Sequence, residues 1–463
     1  MSRFDRVMGL AILVILAGIG VTLLLGDRVG ITIERAAPQG EARSTSTISL
    51  QFSEAMNHES AEAHFSTEPA SAGEFSWSGR TLVFQPAQPW TPGDTVQVLL
   101  AAGAVGESGR RVLNDTAFSF SVRQPEAAYL YPATGSPQNI WIARPGEPES
   151  ARQVTFSPSG IFDFSVSPDG AQIAFSERDS ASGVADIKLL DLSTGGLTQL
   201  TNCENASCTG PVWRPDGQSI AYERTERDGA AASPGGDASS ARVWLLDLSA
   251  APATTRPLMS DLQMLGHSPQ WSADGQVIAF YSTNLAAIVV YNPQTGQVTS
   301  VPSSGGSAGA LSPDGTKLVY PDITVSEGTG VITILWLADL VAGGRTRLTG
   351  ADSRMDDSRA LWRPDGQVLA VARRDERAMR GYQVVEMDPL TGDVRPLTTD
   401  PRYSNMLFWW DAAGSQLVLQ RFPELDESGQ PNLNGRPEIW TLDAESGALT
   451  LVAEDGMLPR WVP

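Results

Sequence analysis

"ALWRPDGQVLAVARR", Ala360 to Arg374, crowds a tryptophan, an arginine and an aspartate ahead of an apolar run. A near twin, "PVWRPDGQSIAYE", occupies Pro211 to Glu223. Such a cluster is either a reactive site used twice or a piece of scaffold. Four further stretches decide between the two. "FSVSPDGAQIAFSE", "QWSADGQVIAFYS", "ALSPDGTKLVYPD" and "FWWDAAGSQLVLQR" align with the pair on Gly170, Gly275, Gly315 and Gly414, beside Gly217 and Gly366. Four residues before each glycine stands a large apolar residue: Val166, Trp213, Trp271, Leu311, Trp362 and Trp410. Successive glycines lie 47, 58, 40, 51 and 48 residues apart. That is close to the period of a propeller blade. Most units add a third strand, such as "DIKLLDL" or "RVWLLDL", a Gly-containing turn and a fourth strand. Four strands per unit is the blade plan.

The repeated Ser/Arg-Pro-Asp-Gly is therefore a hairpin turn. Proline presets φ at the first central position, aspartate accepts hydrogen bonds from the backbone that follows it, and glycine takes the left-handed position of a three-residue loop with a bulge. Trp271-Ser272-Ala273-Asp274-Gly275 and Ser312-Pro313-Asp314-Gly315 resemble the TolB-type, WD40-like propeller repeat over residues 125–463. Asp411-Ala412-Ala413-Gly414 departs from it. The segment before Gly170 lacks a first strand, and "MLPRWVP" at the C-terminus supplies one with Trp461 in the aromatic position. Six whole units and this composite predict seven blades, six being the alternative. Loops between second and third strands vary widely in length and should share one face, opposite the Pro-Asp-Gly turns. "DGAAASPGGDASSA", Asp228 to Ala241, is a low-complexity excursion on that face.

Upstream, residues 38–123 alternate apolar and polar with Gly and Pro turns, the pattern of a β-sandwich. Phe52-Ser53-Glu54-Ala55-Met56, Leu82-Val83-Phe84-Gln85-Pro86, Pro92-Gly93-Asp94 and Phe118-Ser119-Phe120 resemble the SbsA-type bacterial Ig-like domain. The resemblance implies a spacer or adhesion-like module. His58 and His64 have a spacing that fits no common metal pattern. Val7 to Gly26 is an uncharged apolar run about as long as a bilayer core is thick, preceded by Arg3 and Arg6. Residues 1–30 are thus expected to be a cytoplasmic stub and a single transmembrane signal anchor in a bacterial cell membrane, a cleaved secretory signal being the alternative. The bulk of the chain is then extracytoplasmic. The fold expected is all-β: a sandwich and a propeller behind one membrane helix.

A formal net charge of −20 removes the electrostatic footprint of a nucleic-acid binder. Cys203 and Cys208, in "TNCENASCTG", are either a small disulfide formed in an oxidising compartment or two loop thiols. No partner residues beside them complete a zinc set, and no metal or cofactor is expected. The G-x-S-x-G match Gly305 to Gly309 lies in a loop rather than on a strand-to-helix elbow. His267 is the one histidine of the propeller. Arg214 and Arg363 sit near the ends of first strands and are candidate anion contacts on the channel rim, and "MDDSR", Met355 to Arg359, has the same potential. The function expected is a non-enzymatic scaffold binding a protein or cell-envelope component. The competing expectation is an enzyme acting on a polysaccharide or peptide, marked by acidic and basic side chains clustered at one channel mouth.

Overall fold

The computed structural model describes residues 8, 12–20, 30–180, 182–226, 240–261, 263–326, 330–350, 354–375 and 381–463. The low-complexity stretch after Asp228 falls almost wholly outside them. They form two compact units, residues 1–124 and 125–463.

In the first unit two four-stranded sheets face each other. One has the order Ile33–Ala37, Ile48–Phe52, Thr81–Pro86, Gly73–Ser78. The other runs Gly40–Ala42, Thr116–Val122, Thr95–Leu100, Phe65–Glu68. Period-two patterning drives this: Ile48, Leu50 and Phe52 on one strand and Val96, Val98 and Leu100 on another are buried, while residues between them reach the outside. The sandwich starts before residue 38, because Ile33–Ala37 pairs with Ile48–Phe52. The histidines are structural. His58 stacks on Trp77 at 4.2 Å, and His64 Nδ1 lies 2.7 Å from the Ser60 carbonyl oxygen.

The membrane anchor is a correction. Of the run Val7 to Gly26, the described helical stretch is residues 12–20. Among the described residues no helix is long and apolar enough to cross a membrane. The single-pass localisation expected from the hydropathy of this run does not stand.

In the second unit the described residues form seven antiparallel four-stranded sheets. Six take consecutive strands, starting from inner strands Ile161–Val166, Ala206–Trp213, His267–Trp271, Ala310–Leu311, Met355–Trp362 and Tyr403–Trp410. The seventh joins the two ends: Met457–Val462 pairs with Glu126–Tyr131, Val462 opposite Glu126. Each inner strand touches the next, and Met457–Val462 touches both Tyr403–Trp410 and Ile161–Val166, so the series returns to its start.

The repeated turns are alike in detail. The glycine N–H donates to the carbonyl three residues back in every unit: Gly170 to Ser167 at 2.8 Å, Gly366 to Arg363 at 2.8 Å, Gly414 to Asp411 at 3.1 Å. All six glycines have φ between +67° and +72°, where only glycine sits without strain. The loop holds four residues, not the expected three. Where serine opens the turn its closing pair is half side chain, as Ser167 Oγ accepts the Gln172 N–H at 2.9 Å, Ser272 Oγ the Val277 N–H at 3.1 Å and Ser312 Oγ the Lys317 N–H at 2.9 Å. In the divergent unit Asp411 takes over, accepting from Ser415 N at 2.8 Å and Gln416 N at 3.0 Å.

Sheets are locked to one another by tryptophans four residues before the turn glycine. Trp213 Nε1 donates to Ser165 O at 3.2 Å and Trp362 Nε1 to Ala310 O at 3.1 Å. Trp461 in the closing strand does the same to Trp409 O at 3.1 Å. Each acceptor lies on the preceding inner strand, one position before that strand's own aromatic or apolar site.

Candidate functional site

Arg214 and Arg363 occupy equivalent turn positions and hence the same face. Both guanidiniums are paired with acidic neighbours, the alternative to a ligand contact on the rim. Arg214 pairs with Asp216 at 2.8 Å and its Nε donates to Gly275 O of the next turn at 2.9 Å. Arg363 pairs with Asp365 at 2.7 Å and approaches Glu386 at 3.6 Å, and its stem lies against Gly414 of the next turn. The aspartate of the turn motif is thus recruited as a counter-ion wherever arginine replaces serine.

Cys203 and Cys208 are joined in a disulfide with Cα atoms 6.3 Å apart, both buried. It clips the connection into inner strand Ala206–Trp213. The G-x-S-x-G glycines are there for close packing: a Cβ on Gly305 or Gly309 would collide with the carbonyl oxygens of Pro321 or Val319. Ser307 Oγ accepts the Gly309 N–H at 3.2 Å. His267 lies against Tyr281, with Nδ1 3.0 Å from Ser268 Oγ, and burial pushes its pKa down. Among the described residues no group of three metal-ligating side chains converges.

The chemistry gathers instead seven residues before the turn glycine, a level the sequence singled out only at Arg359, within "MDDSR". Inner strands bulge there: the register slips between Ile161 and Asp163, Thr209 and Val212, His267 and Gln270, Asp357 and Arg359, and Ser404 and Leu407. Bulges tilt side chains and strip N–H groups from the ladder. Neighbouring sheets collect these donors. Asp163 Oδ2 accepts Gly210 N at 2.9 Å, Glu223 Oε1 accepts Ser268 N at 2.8 Å, and Gln420 Oε1 accepts Leu458 N at 3.0 Å. Ser268 and Leu458 sit at φ +56° and +52°, unusual for side-chain-bearing residues. Desolvation raises the pKa of both Asp163 and Glu223 above the ordinary carboxylate range, and their mutual repulsion adds to the Glu223 shift.

Two arginines share the series of inner strands with Asp163, and Arg460 lies near enough to it to offset part of its shift. "MDDSR" distributes its charges unequally. Asp357 is held bidentately by Arg373 at 2.7 and 2.9 Å, and Asp356 accepts from Arg374 Nη2 at 2.5 Å and Tyr382 Oη at 2.6 Å. Arg359 is left over. Its guanidinium lies 4.7 Å from the Trp409 ring centroid, and Arg460 lies 3.5 Å from the same ring. Arg359 Nε is buried without a hydrogen-bond partner, and its Nη2 reaches only Phe408 O at 3.5 Å. Burial lowers both guanidinium pKa values, to about 10 for Arg359 and to about 9 for Arg460, where Arg359 itself adds repulsion. Both remain charged at neutral pH. The repeat alignment does carry a signal for Asp163 and Arg359, which share one register; Arg460 and Glu223 become visible only once the strands are closed into a ring.

A second feature is an arm. Strands Lys317–Ser326 and Gly330–Asp339 are ten residues each and stay paired out to Ser326 opposite Gly330. Beyond the sheet they expose Ile323, Val325 and Val331, at 48%, 79% and 64% of full accessibility.

The profile described as Bacterial Ig-like domain matches residues 27–122. The profile of the prolyl oligopeptidase N-terminal beta-propeller domain matches residues 155–295. Dipeptidyl-peptidase 5 of Porphyromonas gingivalis is 31% identical over 167 residues, which are 33% of this chain and 23% of that protein. The chain therefore spans less than a quarter of that relative. Similar solved structures include TolB from Acinetobacter baumannii, at 17% identity over 86% of this chain and 83% of that one, TM-score 0.44. Another is the β-propeller domain of the Trilobed protease from Pyrococcus furiosus, at 13% identity over 78% of this chain and 92% of that one, TM-score 0.46. The chain thus carries a segment similar to a bacterial Ig-like domain over residues 27–122, followed by one similar to the prolyl oligopeptidase N-terminal β-propeller over residues 155–295.

Proposed function

We propose that this chain is a non-enzymatic binding protein whose seven-bladed propeller engages a protein partner, the SbsA-type Ig-like unit acting as a spacer. The observation that carries this reading is the arm, where Ile323, Val325 and Val331 hold β-branched side chains in water beyond the edge of their sheet. Exposed apolar surface on a protruding hairpin is the usual mark of a protein contact. The seven sheets and their cyclic contacts support the blade number. The test is affinity capture with the purified chain against its Val325→Asp/Val331→Asp variant. The variant should melt at the wild-type temperature yet lose a partner that the wild type retains. Identical captured sets would overturn the proposal.

One observation favours a second reading, an enzyme acting on a polysaccharide or peptide in the channel. Asp163, with a raised pKa, lies in one series of inner strands with Arg359 and Arg460, and Glu223, also raised, reaches that level from the second strand Ser219–Glu226 through Ser268 N. The likeness to a peptidase family agrees with a peptide substrate, although the matched profile is that of the N-terminal propeller. Hydrolysis of peptides or polysaccharides by the purified chain, abolished in Glu223→Gln, would establish it. No turnover by the wild type would dismiss it.

A further inference from the structure

Two guanidiniums share one indole near the axis of the propeller. Arg359 comes from the fifth inner strand, Trp409 from the sixth and Arg460 from the closing strand. Neither arginine forms an ion pair among the described residues, and the buried Nε of Arg359 has no acceptor. Several arginines of this unit find carboxylates, Arg373 with Asp357, Arg374 with Asp356 and Arg152 with Glu126, while buried Arg421 is satisfied by Asn405 Oδ1 and the Tyr403 ring. Two half-buried cations close enough to repel each other are costly, and only Asp163 lies near enough to Arg460 to offset this. Each guanidinium keeps donors beyond those used by Arg460 Nη1 to Pro459 O at 2.9 Å and Arg359 Nη2 to Phe408 O at 3.5 Å. Cation–π contact with Trp409 holds their planes without consuming those donors. The arrangement is a receptor short of its anion.

We propose that Arg359, Arg460 and Trp409 form a binding site for the carboxylate of a small ligand that penetrates the propeller channel. A carboxylate matches the planar fork of a guanidinium in size and geometry. A dianion such as phosphate fits less well, because Asp163 lies near Arg460 and the chain carries a net charge of −20. The site is independent of the arm, and either can fail without the other.

Two sources of carboxylate are distinguished by their probes. N-acetylglycine represents a peptide C-terminus and galacturonate a sugar acid; N-acetylglycinamide and inorganic phosphate are the controls. Binding is read by calorimetry and by the shift of the Trp409 indole N–H resonance, assigned with Trp409→Phe. One or both acids should bind, with affinity falling roughly tenfold or more in Arg359→Met and Arg460→Met, as loss of a charged hydrogen-bonded partner implies. Arg460→Lys keeps the charge without the fork and serves if the methionine variant does not fold; it too should weaken binding. Binding by neither acid, equal binding of the amide, tighter binding of phosphate, or affinity unmoved by the substitutions would each overturn the assignment.

Discussion

Five tryptophans occupy one register at the ends of inner strands, but they are not equivalent. The indole N–H groups of Trp213, Trp362 and Trp461 find a carbonyl on the preceding inner strand, whereas those of Trp271 and Trp410 are buried without a partner. Substitution by phenylalanine separates packing from hydrogen bonding. Trp362→Phe should cost about 1–3 kcal/mol, because Ala310 O is left unpaired. Trp271→Phe removes a donor that had nothing to donate to, so it should cost less, only the packing lost with the smaller ring. Urea midpoints at constant m-value would show the contrast, and equal losses would refute it. At this scale the sequence was legible for turns and illegible for charges. Pro-Asp-Gly declares its own conformation. That Arg363 serves its neighbouring aspartate while Arg359, four residues earlier, has none depends on Asp357 and Asp356 being captured by Arg373 and Arg374 on the adjoining strand.

Elements show the same division. Strand order within each sheet follows from alternation and turn spacing, and the composite sheet was readable from a missing first strand and an orphan "RWV" at the other end. The bulges were not, because a bulge inserts a residue without disturbing the apolar count on either side. The apolar run near the N-terminus was read from composition alone, and among the described residues no helix is long and apolar enough to cross a membrane. The Cys203–Cys208 bond closes a short loop, so the chain-entropy gain is only about 2 kcal/mol. Its reduction should therefore lower the melting temperature of the propeller by a few degrees without unfolding it. Collapse of the near-ultraviolet dichroism on adding reductant at room temperature would show that the clip into Ala206–Trp213 does far more than this.

For the whole propeller, one strand pairing stands apart. Removing Met457 to Pro463 would leave Glu126–Tyr131 as an open edge and strip Trp461, Val462 and Arg460 from the junction of two sheets. An unpaired apolar edge of this kind invites association with other chains. The truncated chain should unfold in a broader transition and elute partly as oligomers; a sharp monomeric transition at the wild-type midpoint would refute the dependence. Adding the seven residues back as a peptide should restore part of the loss.

The same pairing sets a clock. Glu126 is made well over three hundred residues before Val462, the residue opposite it. At a ribosomal pace of roughly 5–20 residues per second, the edge at Glu126–Tyr131 waits roughly 15 to 70 seconds for its partner. Six sheets can mature in that interval, each from consecutive residues, while the first three strands to be made remain uncommitted. The nascent propeller is thus an open spiral for nearly its entire synthesis, and whatever shields that edge in the cell must act early and let go late.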